Sequence, residues 1–563
     1  MPQVSRDEHL RALAGGVDVL VIGGGITGAG VALDAASRGY RVGLVEQADF
    51  AGGTSSRSTK LIHGGIRYLP QGHLTLVRDA LRERRLLLQL APHLVHPLPF
   101  VVPLYAETRR PLGIRLPRVL RPFAPLGVRA GLLAYDLFAR SPSLRHRSLP
   151  RTRVERAVPD LRTEGLRAAL IYYDARTDDV RLTHAVLATA RAHGAATVNY
   201  AAAVAFRRSG GRLAGALVED RLSGRTLEVS ARFVVNAAGI WAESVAALDG
   251  TPPFRIRHSK GVHLVLRPGA VASSMAIVIP ETDDGRLAFI VPWAGRPVIG
   301  TTDEAYTGDL SAPVTTDAEA AYLLDHANRY LRRPLGSADV AAAYAGIRPL
   351  VAMTGRSGGT AALARDHHVA ISPGGLISIV GGKLTTYRKM AEDTVDAIVA
   401  RDGIRRACRT ASLPLAGAAG LDVARVALDA APIADDQRVH LLDTYGGAAL
   451  DILDLVRADS ALGDRLVPGL APSAAEVAYA CRVEQAVTLA DCLYLRTRLA
   501  VFDADAADRA VDTVVALMAR ELHWDAAEVQ RQRATYEAAR ERERRWRPTS
   551  SLSASHLSGD LGN

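Results

Sequence analysis

The sequence predicts an α/β protein: a parallel sheet flanked by helices, an antiparallel sheet beside it, and a helical C-terminal part. Three observations carry this expectation. Val17 to Glu46 runs strand, glycine-rich turn, helix and strand within about thirty residues. Later stretches such as HLVLRP and LAFIVPW carry mixed strand signals that suit an antiparallel sheet. From about Leu413 the chain becomes alanine-rich, with acidic and basic residues alternating across helical faces.

The first element is the most informative. Val17–Ile22 is a short β-branched run of the kind buried in parallel sheets. Gly23, Gly25 and Gly28 follow as G-x-G-x-x-G, a helix-forming stretch runs to about Arg38, Gly39 ends it, and Arg41–Val45 reads as the second strand. Gly23 allows the tight turn, Gly25 lets a pyrophosphate reach the backbone, and Gly28 lets helix and strand pack closely. The helix N-terminus then offers free N–H groups and a positive dipole end to phosphates. Glu46 stands where a carboxylate accepts a ribose hydroxyl. The module is a Rossmann-like dinucleotide site that leaves NAD and FAD open.

Two further strand-to-helix elements bear on that choice. Arg232–Trp241, RFVVNAAGIW, is a buried strand ending in small residues and Gly239. Leu376–Val399, LISIVGGKLTTYRKMAEDTVDAIV, is a strand, then Gly381-Gly382, then an amphipathic helix. A second helix N-terminus of this kind can aim N–H groups at an electron-rich ring edge. A flavin gains negative charge near N1 and O2 on reduction, so the element favours FAD over NAD.

With 563 residues the chain is expected to form two or three domains. Cys408, Cys481 and Cys492 lie far apart without a C-x-x-C pair, which speaks against a disulfide framework or a structural metal and suits a reducing cytoplasm. No apolar run approaches the ~20 residues needed to span a bilayer. The net charge of +10 raises nucleic acid, anionic lipid and anionic substrate as partners. Zinc-finger spacing, RNP motifs and a basic recognition helix are all missing, which sets nucleic acid aside.

Several stretches together, in chain order, carry a resemblance over roughly residues 17 to 540. They are GGGITGAGVALDAASRGYRVGLVEQADFAGGTSSRSTKLIHGGIRYL, PWAGRPVIGTTDEAYTGD, AGIRPL, ARDHHV, GGKLTTYRKMAED and EQAVTLADCLYLRTRLAVFD. The chain resembles the FAD-dependent, quinone-linked glycerol-3-phosphate dehydrogenases, within the D-amino-acid-oxidase-like flavoproteins. The resemblance implies a FAD-binding domain, an antiparallel-sheet substrate domain and a C-terminal helical domain. It also implies that the segment after Glu46 runs under the flavin, bringing Thr54, Ser55, Ser56, Ser58, Thr59 and Lys60 to the cofactor. Gly64 and Gly65 would let the backbone pass close to the ring, joined by Gly239, Gly382, Lys383, Leu384 and Thr385. His63, Arg67 and Tyr68 would then stand where substrate meets flavin.

Oxidising a secondary alcohol requires removal of the hydroxyl proton and transfer of hydride, here to flavin N5. Imidazole is the base best matched to neutral pH, and His63 and His263 are the two candidates. A phosphate dianion is held best by planar guanidinium forks. Arg348, in AGIRPL, and Arg365, in ALARDHHV, are expected to clamp it, with Arg67 beside them. The family usually has Thr before the second arginine, where this chain has Ala364, so a hydroxyl contact is lost there. Lys383 and Lys260 are candidates to stabilise negative charge on flavin or alkoxide. The expected product is dihydroxyacetone phosphate. The alternatives are an oxidase passing electrons to O2, or oxidation of an amine or amino acid.

The expected boundaries are 17–90 with 170–255 and 345–410 for the FAD domain, and 91–169 with 256–344 for the substrate domain. Residues 411–545 are expected to form the helical domain and 546–563 a disordered tail. Thr108–Tyr135 holds six arginines and no acidic residue, interleaved with Leu, Ile114, Val119, Phe123 and Val128. Such a segment suits either an anionic membrane surface, where the quinone acceptor lives, or a solvated flap. The expected protein is cytoplasmic and peripheral on the membrane's inner face, and a homodimer is left open.

Overall fold

The computed structural model describes residues 5–69, 71–114, 117–353 and 366–547. Arg365 and the tail from residue 548 therefore lie outside the described residues, as do Arg115 and Leu116 of the basic segment. Tail residues 546 and 547 are not disordered as expected. Trp546 is buried with the second sheet, and Arg547 donates to the Ala341 carbonyl at 2.9 Å.

Two sheets organise the described residues. The first has eight strands. Val17–Ile22 lies parallel to Val42–Val45 on one side and to Arg225–Asn236 on the other. Ala196–Val198 and Ile377–Gly381 extend the parallel part outward, and His367–Ile371 closes one edge antiparallel. Val19, Leu20 and Val21 are wholly buried, as a parallel strand covered on both faces requires. The helices Ile26–Ser37, Asp179–Ala192 and Tyr387–Asp402 share one apolar core with this sheet.

The second sheet has ten strands and is largely antiparallel. Phe254–Leu266 pairs along its length with Val340–Met353 and also with Arg296–Gly300. His96–Tyr105 pairs with Leu166–Arg176, whose far end receives Leu61–Ile62. The boundaries expected at 170 and 345 shift accordingly. Leu166–Arg176 and Val340–Met353 belong entirely to this sheet, because each is paired along its length to an antiparallel neighbour.

The C-terminal helices, from Leu421–Asp429 to Ala526–Arg544, form a core that also takes in Val265, Trp293, Val298 and Ala342 of the second sheet. Buried ion pairs stitch them to the first layer: Arg496 to Asp49 at 2.6 Å and Arg181 to Glu484 at 2.7 Å. Among the described residues, no helix is long and apolar enough to cross a membrane.

Candidate active site

A cavity of about 410 Å3 opens where the parallel strands of the first sheet end and meets the flank of the second. Ile22, Val45 and Gly381 deliver the chain to Gly23, Glu46 and Gly382, all on its wall. Ligands bind at the carboxyl ends of strands in open α/β sheets because the backbone there turns back and frees N–H groups.

The residues fit a dinucleotide. A Cβ at Gly28 would lie 1.9 Å from the Gly23 carbonyl, so only glycine lets the helix Ile26–Ser37 start so close to the strand. A Cβ at Gly25 would meet only Ser55 Oγ at 3.0 Å and Ser55 Cβ beyond it, which keeps this point of the turn approachable. Ser55 Oγ accepts from Ile26 N at 2.9 Å and caps the same helix end. The Glu46 carboxylate accepts from Gly24 N at 2.6 Å and Ala48 N at 3.0 Å. Its remaining lone pairs can take ribose hydroxyls. Burial raises its pKa while those two N–H groups pull it back. Across the cavity, Gly239, Gly382, Lys383, Leu384 and Thr385 complete the wall. Gly382 turns at φ +80° above Met390.

The expected flavin loop divides in two. Thr54, Ser55, Ser58 and Thr59 line the cavity, although Thr54 Oγ1 donates to the Ile347 carbonyl at 2.7 Å and Ser58 Oγ to Asp179 at 2.7 Å. Ser56 and Lys60 correct the expectation. Ser56 Oγ turns back to the Gly53 carbonyl, and Lys60 is wholly buried with Nζ 2.7 Å from both Asp179 oxygens. Burial pushes the Lys60 ammonium down to about 8 against the pull of Asp179. Gly64 also faces elsewhere: its N–H goes to Tyr135 and Asp174, and a Cβ would strike Leu81 at 2.5 Å. Core packing demands that glycine, whereas Gly65 does line the cavity.

His63, Arg67, Tyr68, His263, Arg348 and Lys383 all line this cavity. The backbone N–H of His63 donates to Thr385 Oγ1 at 3.0 Å. Burial, then the cations Lys383, Arg67 and Arg84, hold its imidazole down to about 3. The His263 ring shares a 2.8 Å hydrogen bond with Thr59 Oγ1, stacks on Tyr344 with centroids 4.8 Å apart, and lies over Gly300. Burial, Arg348 and Lys60 hold its pKa well below the ordinary value. Both environments therefore favour the neutral imidazole, at the cost of its basicity. Arg67 donates to Tyr68 OH at 2.8 Å, and Lys383 Nζ sits 4.1 Å from the centre of the same ring. Arg348 reaches Thr301 Oγ1 at 2.9 Å, the Thr302 carbonyl at 3.1 Å and Asp303 at 3.2 Å.

Lys260 corrects another expectation. Its Nζ pairs with Glu319 at 2.9 Å, on the face of its strand opposite Gly261 and His263, and it does not line the cavity. Sequence reasoning also passed over Arg286, Thr301 and Asp303, which share the wall with Arg348. The stretch GTTDEAYTGD held the signal: two hydroxyls and a carboxylate together directly after a strand.

Comparison with known proteins agrees with this geometry. Residues 18–388 match the family described as FAD dependent oxidoreductase, and residues 408–529 match the C-terminal domain of alpha-glycerophosphate oxidase. Glycerol-3-phosphate dehydrogenase 2 of Mycobacterium tuberculosis (strain H37Rv) is 40% identical over 537 residues, 93% of this chain and 88% of that protein. The mitochondrial glycerol-3-phosphate dehydrogenase of Homo sapiens is 38% identical, over 92% of this chain and 72% of that one. The crystal structure of the glycerol-3-phosphate dehydrogenase from Bacillus halodurans complexed with FAD superposes with a TM-score of 0.77. That likeness covers 96% of this chain and 98% of that one at 31% identity. A glycine-cradled dinucleotide site, two histidines and several arginines line one cavity in a chain with these relatives, and it belongs to the FAD-dependent glycerol-3-phosphate dehydrogenase family.

Proposed function

We propose that the protein oxidises sn-glycerol 3-phosphate to dihydroxyacetone phosphate and passes the electrons to a membrane quinone. The presence of His63, His263, Arg67, Arg348 and Lys383 in the lining of one cavity supports this reading. When bound, FAD would supply the two-electron acceptor for this oxidation, with quinone as the onward acceptor. Gly23, Gly25 and the N-terminus of Ile26–Ser37 would hold its pyrophosphate and Glu46 its ribose, while Gly28 keeps the helix close to the strand.

Arg348, with Arg67 beside it, takes the substrate phosphate by charge-assisted hydrogen bonds. Arg365 is proposed as the second half of this clamp on the family resemblance alone. A neutral imidazole, His63 or His263, accepts the hydroxyl proton as hydride leaves the same carbon. Lys383, also in the cavity lining, would oppose negative charge developing on the alkoxide oxygen or the ring edge. Phosphate and proton are thus held by different groups, which orients the reacting carbon.

The acceptor half draws support from two further features. Leu61, Ile66, Phe100, Tyr172, Leu287 and Phe289 give the cavity an apolar lobe. The same core continues into the helix Ala124–Ala139 through Val128, Leu132 and Tyr135. Its outer side shows Phe123, Leu126, Leu133 and Leu137, each more than half exposed, beside the exposed Arg129 and Arg140. Exposed leucines at helical spacing among arginines suit an anionic bilayer surface rather than water. Anaerobic addition of glycerol 3-phosphate to the FAD-loaded protein should bleach the flavin, and a quinone analogue should restore the colour. A protein that loads FAD but is not bleached would refute the first half. Rapid reoxidation by O2 with peroxide release, and none by quinone, would refute the second.

A further inference from the structure

We propose that Asp179 and Arg498 are positioning residues for the reaction: through the loop Ser56–Lys60 they hold Thr59 against the His263 imidazole. The C-terminal helical region thereby helps set the geometry of the cavity wall. This rests on the functional reading above, in which His263 is one of two candidate proton acceptors.

Asp179 begins the helix Asp179–Ala192 and is wholly buried. Its carboxylate accepts from Ser58 N at 3.0 Å, Ser58 Oγ at 2.7 Å, Lys60 Nζ at 2.7 Å and Val180 N at 3.0 Å. Arg498, more than three hundred residues later, adds Nη2 at 3.2 Å and donates from the same nitrogen to the Ser56 carbonyl at 3.3 Å. Its Nε reaches Asp178 at 3.2 Å and its Nη1 the Tyr494 carbonyl at 2.8 Å. Lys60 and Arg498 both hold left-handed backbone, at φ +63° and +62°. That conformation is disfavoured for a residue with a Cβ and persists where surrounding contacts enforce it.

Thr59 therefore sits between two residues locked on one carboxylate. Its hydroxyl is the hydrogen-bonding partner of His263 Nε2 at 2.8 Å. Tyr344 supplies the second grip: its OH donates to the Ser58 carbonyl at 2.9 Å while its ring stacks on His263. The imidazole is held at one edge and one face, and both supports are anchored on the same loop. Neither Asp179 nor Arg498 lines the cavity.

A double-mutant cycle on FAD-loaded enzyme tests this, reading the anaerobic rate of flavin bleaching and the Kd for glycerol 3-phosphate. Thr59→Val should slow bleaching about tenfold, because a misplaced reacting group costs rate, and leave Kd within about twofold. Arg498→Lys should slow it in the same sense. The double variant should be no slower than the slower single one, since both remove one support. Losses that multiply, or a Thr59→Val enzyme at wild-type rate, overturn the proposal. Should Arg498→Lys fail to take up FAD, Ser58→Ala replaces it in the cycle with the same expected and refuting outcomes. A wild-type enzyme that substrate does not bleach refutes the functional reading and this inference with it. Multiplying losses in an enzyme that bleaches refute this inference alone.

Discussion

Removing the Arg348 guanidinium should weaken glycerol 3-phosphate binding by ten- to a hundredfold or so. Its fork is oriented by the Thr301 hydroxyl, the Thr302 carbonyl and Asp303, all within 3.2 Å, and its side chain is about one-third exposed toward the cavity. A hydrogen bond to a charged group contributes roughly 1.5–3 kcal/mol, and each 1.4 kcal/mol is about tenfold in affinity. Arg348→Ala should therefore raise KM into that range, whereas Arg348→Lys, keeping the charge but losing the fork, should fall between. Steady-state kinetics with glycerol 3-phosphate provide the assay. Flavin absorbance and Tm serve as controls that the loop Thr301–Asp303 has not collapsed. A folded, FAD-loaded Arg348→Ala enzyme with unchanged KM and unchanged Kd would remove this residue from phosphate recognition.

Three other outcomes are expected. Lys60→Met removes the nearer of the two cations on buried Asp179, leaving Arg498 at 3.2 Å; differential scanning calorimetry should show a lower Tm, and an unchanged Tm would refute it. His63, held down to about 3, should stay neutral in the native protein to about pH 4, seen by NMR of 15N-histidine with His63→Gln as assignment. The unfolded chain binds that proton near pH 6.5 and the native one does not, so this group lowers stability as pH falls below about 6.5; an imidazole signal titrating near 6.5 would contradict it. Replacing Leu126, Leu133 and Leu137 together by Ser should reduce flotation with anionic vesicles more than tenfold at about 0.15 M salt. Equal flotation of variant and wild type would exclude this helix as the contact.

Much of the cofactor half was legible from local pattern. Gly23 and Gly25 of the G-x-G-x-x-G turn, Glu46 and the Gly381-Gly382 step each depend on neighbours within a few residues, and all come to the cavity wall. The substrate half was legible only in part. Arg348 and His263 arrive there, whereas Lys260 does not, because successive residues of a strand point to opposite faces. The strand Phe254–Leu266 presents Gly261 and His263 inward and sends Lys260 to Glu319. Lys60 misled for a related reason. A loop lysine reads as an anion ligand until its partner Asp179, 119 positions away, is seen beside it.

By itself the sequence determined the dinucleotide cradle, the order of its strands and helices, and the kinds of charged group available to the substrate. Turn geometry, β-branched runs and helix periodicity are local, so adjacent residues suffice to specify them. Only the tertiary structure decided which cations reach the cavity and which are spent on buried carboxylates. It also decided that burial and nearby cations disfavour protonation of both histidines and that a C-terminal arginine braces the loop beside one of them. Those outcomes depend on burial and on contacts between residues hundreds of positions apart, and a linear pattern carries neither.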